Sequence, residues 1–177
     1  MLTAEETSVV LGTSLLAETS ASEPPSALTA EPPACSVAVG PATQAVYGTT
    51  WTAFRSVAYQ DSADVADHTV TQTVARYPEP SDAAAVFRVL TDGLANCPAA
   101  VRTDPLRGES TWAYEIAASG PESLAWSAIQ DAGDGWACHR QARVKGTTVL
   151  QVSVCQAGDG APLAAQLADR VASRVEP

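Results

Sequence analysis

The chain has 177 residues, enough to bury one substantial core and short for two full-size domains. Apolar residues make up 46% and charged ones 17%, a globular composition that sets aside disordered, collagen-like and coiled-coil classes. Twenty Asp and Glu against ten Lys and Arg give a formal net charge of -10, which repels phosphate backbones and anionic headgroups, so no nucleic-acid partner is expected.

Thr3-Ala-Glu-Glu6 is a capping box that opens a short helix, and Gly12 is placed to end it. Residues 18–34 contain Glu-Pro-Pro twice and read as an extended, Pro-rich loop inside a single domain spanning 1–177. Cys35 to Val39 is read as a strand, followed by strands at Ala53 to Gln60 and His68 to Tyr77. In the last of these Val70, Gln72 and Val74 share one face and Thr69, Thr71 and Thr73 the other, and one of the two faces is expected to be more solvated. Pro80-Ser81-Asp82 starts a helix with Ser81 as N-cap, and Val86, Val89, Leu90, Leu94 and Cys97 form its apolar stripe.

Beyond a loop marked by Pro98 and Pro105, four strand-like runs occur at Thr111 to Ala118, Ser123 to Gln130, Trp136 to Val144 and Thr148 to Gln156, with turn residues between them. An antiparallel meander is the economical arrangement. Pro162 suits the first turn of a last helix with Leu163, Leu167, Val171 and Val175 on one side. The expected fold is therefore α+β, a single domain with a mainly antiparallel sheet flanked by helices. No window approaches the roughly 18 apolar residues of a membrane helix, so no membrane span is expected in this chain.

Four cysteines, at 35, 97, 138 and 155, are too widely spaced for a zinc or redox pair, and their even number fits two disulfides in an oxidising compartment; the competing reading is four buried thiols. One pairing follows from geometry. A two-residue turn at Gly146-Thr147 sets Lys145 opposite Thr148, and the same register sets Cys138 opposite Cys155 in a non-hydrogen-bonded pair, about 4.5 Å between Cα atoms. Cys35 is then left to Cys97. Met1-Leu2-Thr3-Ala4-Glu5-Glu6 has neither the basic nor the apolar region of a signal peptide, which leaves a cytosolic protein or an export signal outside these residues; the cysteines favour the second.

Catalytic motifs are missing: there is no G-x-S-x-G, H-E-x-x-H, P-loop or G-x-G-x-x-G. The two histidines, His68 and His139, are the available general bases for a competing secreted-hydrolase reading. Asp131-Ala-Gly-Asp-Gly135 and Gly158-Asp-Gly160 lack the ligand spacing of a calcium loop, so no metal or other cofactor is expected. A ligand groove is expected beside the meander, with Trp112, Tyr114 and Trp126 as flat walls and Arg140 and Arg143 as donors to an anionic or polyhydroxylated group. The competing reading places the indoles in the core and the arginines in surface ion pairs.

The opening helix Leu2 to Gly12, the strand before Tyr77-Pro78, the helix from Ser81 to Asn96 ending in Cys97, the Trp136-Ala-Cys138 strand and Val149 to Cys155 together resemble the PknH-like extracellular domain family. Its members are receptor-kinase ectodomains and secreted lipoproteins of mycobacteria. The resemblance implies two disulfides between sequential cysteines, a cleft suspected of holding a ligand, and no established enzyme activity. It further implies an extracytoplasmic sensor-type domain, secreted or lipid-anchored to the cell envelope, whose partner is an unidentified small molecule or envelope component. A structural envelope interaction protein is the third reading.

Overall fold

Nine strands form one antiparallel sheet in the order β1-β3-β4-β9-β8-β7-β6-β5-β2. The computed structural model describes residues 1–104 and 108–175. The strands are β1 (Ala17–Ala21), β2 (Thr29–Glu31), β3 (Ala53–Gln60), β4 (His68–Arg76), β5 (Ala99–Asp104), β6 (Gly108–Ser119), β7 (Ser123–Gln130), β8 (Trp136–Lys145) and β9 (Thr148–Ala157). Helices α1 (Ala4–Leu11) and α5 (Ala161–Ala172) cover one face; α2 (Ser36–Val39), α3 (Gln44–Tyr47) and α4 (Pro80–Ala95) cover the other.

The middle of the sheet forms as its sequence dictates. Gly146 takes φ 56°, which the turn before β9 requires, and Lys145 faces Thr148. In that register Cys138 faces Cys155 and the two are bonded, with Cα atoms 3.9 Å apart. Cys35 is bonded to Cys97 at a Cα separation of 5.4 Å. β9 is buried from Thr148 to Cys155 because both of its faces are roofed. Leu150, Val152 and Val154 meet Leu167, Ala168 and Val171 of α5, whereas Val149 and Cys155 belong to the larger core under α4.

At the N-terminus the capping box is complete: Thr3 N–H donates to Glu6 Oε2 (2.9 Å) and Glu6 N–H to Thr3 Oγ1 (3.2 Å). Gln72, fully buried on β4, holds this segment in place. Its amide nitrogen donates to the Leu2 carbonyl (3.3 Å) and Thr7 Oγ1 (3.2 Å), and its oxygen accepts from Leu2 N–H (2.8 Å). A buried amide with its partners supplied is stable where an orphaned one is costly. The opposite face of β4 is less solvated than its threonines suggest, since Thr73 is buried and bonds Ser56.

Four local expectations change. The Pro-rich connection of 18–34 carries β1 and β2, which pair with β3 and β5 at the two edges of the sheet. Cys35 to Val39 is a 3₁₀ turn (Pro33–Cys35) leading into α2, with Val37, Ala38 and Val39 all buried, a pattern no half-exposed strand presents. In α4 the N-cap is Glu79 with Pro80 in the first turn, not Ser81, and the buried stripe is Ala83, Phe87, Leu90 and Leu94. Val89, turned to the flank of that stripe, is 44% exposed. Finally, the loop expected between Pro98 and Pro105 contains β5; Pro105 itself lies outside the described residues.

α2 and α4 touch at Gly93. A Cβ there would lie 2.5 Å from Val37 Cγ1 and 2.6 Å from its Cβ. The Gly93→Ala variant therefore loses about 1–3 kcal/mol to overpacking in spite of the better helix propensity of alanine, and Val37→Ala in the same chain restores part of the loss. Denaturant unfolding of the two single variants and the double measures it. The disulfides rank by loop length: with 62 and 17 residues of separation, removing Cys35–Cys97 costs about 4 kcal/mol and Cys138–Cys155 about 3 in the chain-entropy model. Serine pairs at each bridge, compared by thermal unfolding, test the order.

Candidate functional site

Alternation along the strands decides which side chains share the face under α2 and α4. From β5 come Ala100 and Arg102, from β6 Trp112 and Tyr114, from β7 Trp126 and Ala128, from β8 Cys138 and Arg140. Among them lies a slot of about 20 Å³. Arg102, Arg140, Trp112 and Tyr114 line it, Ala128 and Cys138 form its floor, and Ala38 and Val39 of α2 cover it.

Its polar groups are incompletely paired. Trp112 Nε1 donates to Ser110 Oγ (2.8 Å), and one terminal nitrogen of Arg102 reaches Asp104 Oδ2 (3.1 Å). The Nε atoms of Arg102 and Arg140 are buried with no hydrogen-bond partner. Among the described residues Arg140 has no ion pair at all. Burial is the main reason its guanidinium is pulled down to about 10; Tyr114 opposes the shift and the like charge of Arg102 adds to it. At neutral pH the group is still a cation. Burial likewise pushes the Tyr114 phenol up to about 12, against the pull of Arg140 and Arg102, so its O–H stays on as a donor.

The structure puts four of the five residues expected at a groove, Trp112, Tyr114, Trp126 and Arg140, on one face of the sheet, with Trp126 directly across from Arg140, and turns the fifth, Arg143, to the other face. Trp126 is 2% exposed and belongs to the core beside Leu124 and Ala128, so it has no open face to present. Trp112 and Tyr114, at 9% and 8%, keep only an edge. Arg140 and Arg143 do not act together, because residues three apart on a strand point to opposite faces. Arg143 turns to the α5 side, 2.6 Å from Asp169 Oδ1. The residue that sequence reasoning missed is Arg102, hidden in what reads as a proline loop; the alternation Ala99-Ala-Val-Arg-Thr103 is its only signal.

A wider cleft of about 500 Å³ lies toward the β3–β4 and β7–β8 turns, between Gln60, Thr69, Gln130 and Trp136 of the sheet and Asp64, Val65 and Ala66. It adjoins the slot, since Gln130 is the register partner of Trp112 and Trp136 the same-face neighbour of Cys138. The histidines lie elsewhere. His68 Nδ1 is 2.7 Å from Asp61 Oδ2; burial raises the Asp61 carboxyl, but the hydrogen bonds and charge of His68 outweigh this and hold it below the usual range. His139 Nε2 faces the Gly158 carbonyl (3.3 Å) and Asp159 (4.0 Å) on the α5 side. Ser127 stands across from His139 in register, with no hydrogen bond between them among the described residues. No group of three or more His, Cys, Asp or Glu suited to a metal occurs among the described residues, and no helix is long and apolar enough to cross a membrane.

The whole chain can be compared with known proteins on this basis. A family model, the PknH-like extracellular domain, matches residues 1–174, so the chain belongs to that family. It is an extracytoplasmic domain. The crystal structure of the extracellular domain of PknH from Mycobacterium tuberculosis superposes with a TM-score of 0.83 at 24% identity, covering 98% of this chain and 93% of that one. No curated protein matches.

The two arginines of β8 are expected to behave differently. Arg140→Met removes a half-buried guanidinium whose Nε is buried without a partner, and raises the stability of the ligand-free protein by up to about 1 kcal/mol. Arg143→Ala removes a partly exposed pair and lowers it by about 0.2–1 kcal/mol. Chemical denaturation of both variants at neutral pH checks the opposite signs.

Proposed function

We propose that this domain is a non-catalytic, sensor-type ligand-binding module of a secreted or lipid-anchored envelope protein, and that its ligand is held on the sheet face beneath α2 and α4. The observation that carries the reading is the convergence of Trp112, Tyr114, Arg102 and Arg140 on one slot beside an open cleft. Aromatic edges and a few unpaired polar groups at a concavity are the ordinary make-up of a small-molecule site. The cleft adds two amides, a hydroxyl and the half-buried ring of Trp136, groups suited to a polar, hydroxyl-bearing ligand body. Trp126 serves as packing beneath the site and Arg143 has no part in it.

A fragment and envelope-component screen by NMR shift mapping and tryptophan fluorescence tests this. Binders are expected to perturb Trp112, Tyr114 or Trp136 saturably and to raise the melting temperature progressively with concentration, corresponding to about 2.7 kcal/mol of stabilisation at a hundred times Kd, with no turnover. Hits confined to the α1 and α5 face would overturn the site. Hydrolysis abolished by His139→Ala or His68→Ala without loss of stability would favour the hydrolase instead.

A further inference from the structure

We infer that the slot is an anion subsite which takes the carboxylate end of a larger ligand between the guanidinium groups of Arg102 and Arg140. The inference rests on the ligand-binding reading above and adds the chemical class. Three independent observations lead to it.

The first is the pair of orphaned donors. Buried polar groups are nearly always partnered, and here the Nε of each arginine at one small slot has none. The second is charge. Carboxylates outnumber basic groups two to one in this chain, so Arg140 does not lack an internal partner for want of supply. One carboxylate, Asp104, is bonded to Arg102, and among the described residues none pairs with Arg140. The positive charge is left for a group that arrives from outside.

The third is size and shape. A volume of about 20 Å³ admits roughly one water-sized group. One oxygen of a planar carboxylate fills that space while the other lies edgewise along the planar fork of a guanidinium at its mouth, where a tetrahedral phosphate presents more bulk. The Tyr114 O–H, kept protonated by burial, is a further donor to an anion. The rest of the ligand lies outside the slot.

Titrations of the whole domain with benzoate, with its neutral isostere benzamide and with inorganic phosphate, followed at the Trp112 indole N–H, test the inference. Benzoate is expected to shift that signal saturably and to bind at least about tenfold more tightly than either of the others. Arg140→Gln and Arg102→Gln are each expected to weaken benzoate about tenfold, while Arg143→Gln on the opposite face leaves it unchanged. Should Arg140→Gln fail to fold, Arg102→Gln decides. Equal binding of benzamide overturns the anion subsite and leaves the ligand-binding reading standing. Equal binding of phosphate overturns the carboxylate assignment. If none of the three moves Trp112 while screening ligands perturb only other faces, both readings fall.

Discussion

The register of β8 against β9 is the constraint from which both faces of the molecule are built. β9 is central and roofed on two sides, so a slip of one residue would turn Leu150, Val152 and Val154 away from α5 and carry Arg140 to the wrong side of the sheet. Two local features prevent it. Gly146 adopts a backbone conformation that other residues resist, and Cys138 and Cys155 close a covalent rung seven pairs farther along the ladder. The first sets the register from one end and the second holds it from the other. The other strands extend the sheet from that hairpin, from β7 outward to β2 and from β4 outward to β1.

The sheet also separates two electrostatic regimes. On the α5 side the cations are used for construction: Arg143 reaches Asp169 and Lys145 donates to the Val175 carbonyl (2.7 Å), both fastening the last helix. Across the strand, a few ångströms away, Arg140 fastens nothing. A half-buried cation with an orphaned Nε and no carboxylate is the kind of local inconsistency that native structures keep at functional positions.

Legibility in the sequence followed the length and regularity of each element. The hairpin around Gly146, the capping box at Thr3 and the four-strand meander all carry a periodic pattern with a turn or cap signal at a fixed offset, and they stand in the structure where they were expected. β1, β2 and β5 have three to six residues each. Their prolines are tolerated because they lie beside edge strands or between strands, so a proline-based reading removes them. α2 is one turn in which two of four residues are β-branched valines, which local propensity assigns to a strand; packing against α4 overrides it. At the site, the alternation rule applied to positions 140 and 143 already separates the two arginines, and what it cannot supply is the depth at which Trp126 is buried. That depth depends on how α4 lies across the sheet, which no run of residues within the strand records.

The chain begins and ends on the same side. Arg174 donates to the Met1 carbonyl (2.9 Å) and forms an ion pair with Glu6, bringing the first helix and the end of the last together. Met1 and Val175, the last described residue, thus stand on the α1 and α5 face, with the sheet between them and the slot. A reporter or surface attachment at either end leaves the opposite face accessible, and the proximity of the ends makes the domain a natural subject for circular permutation.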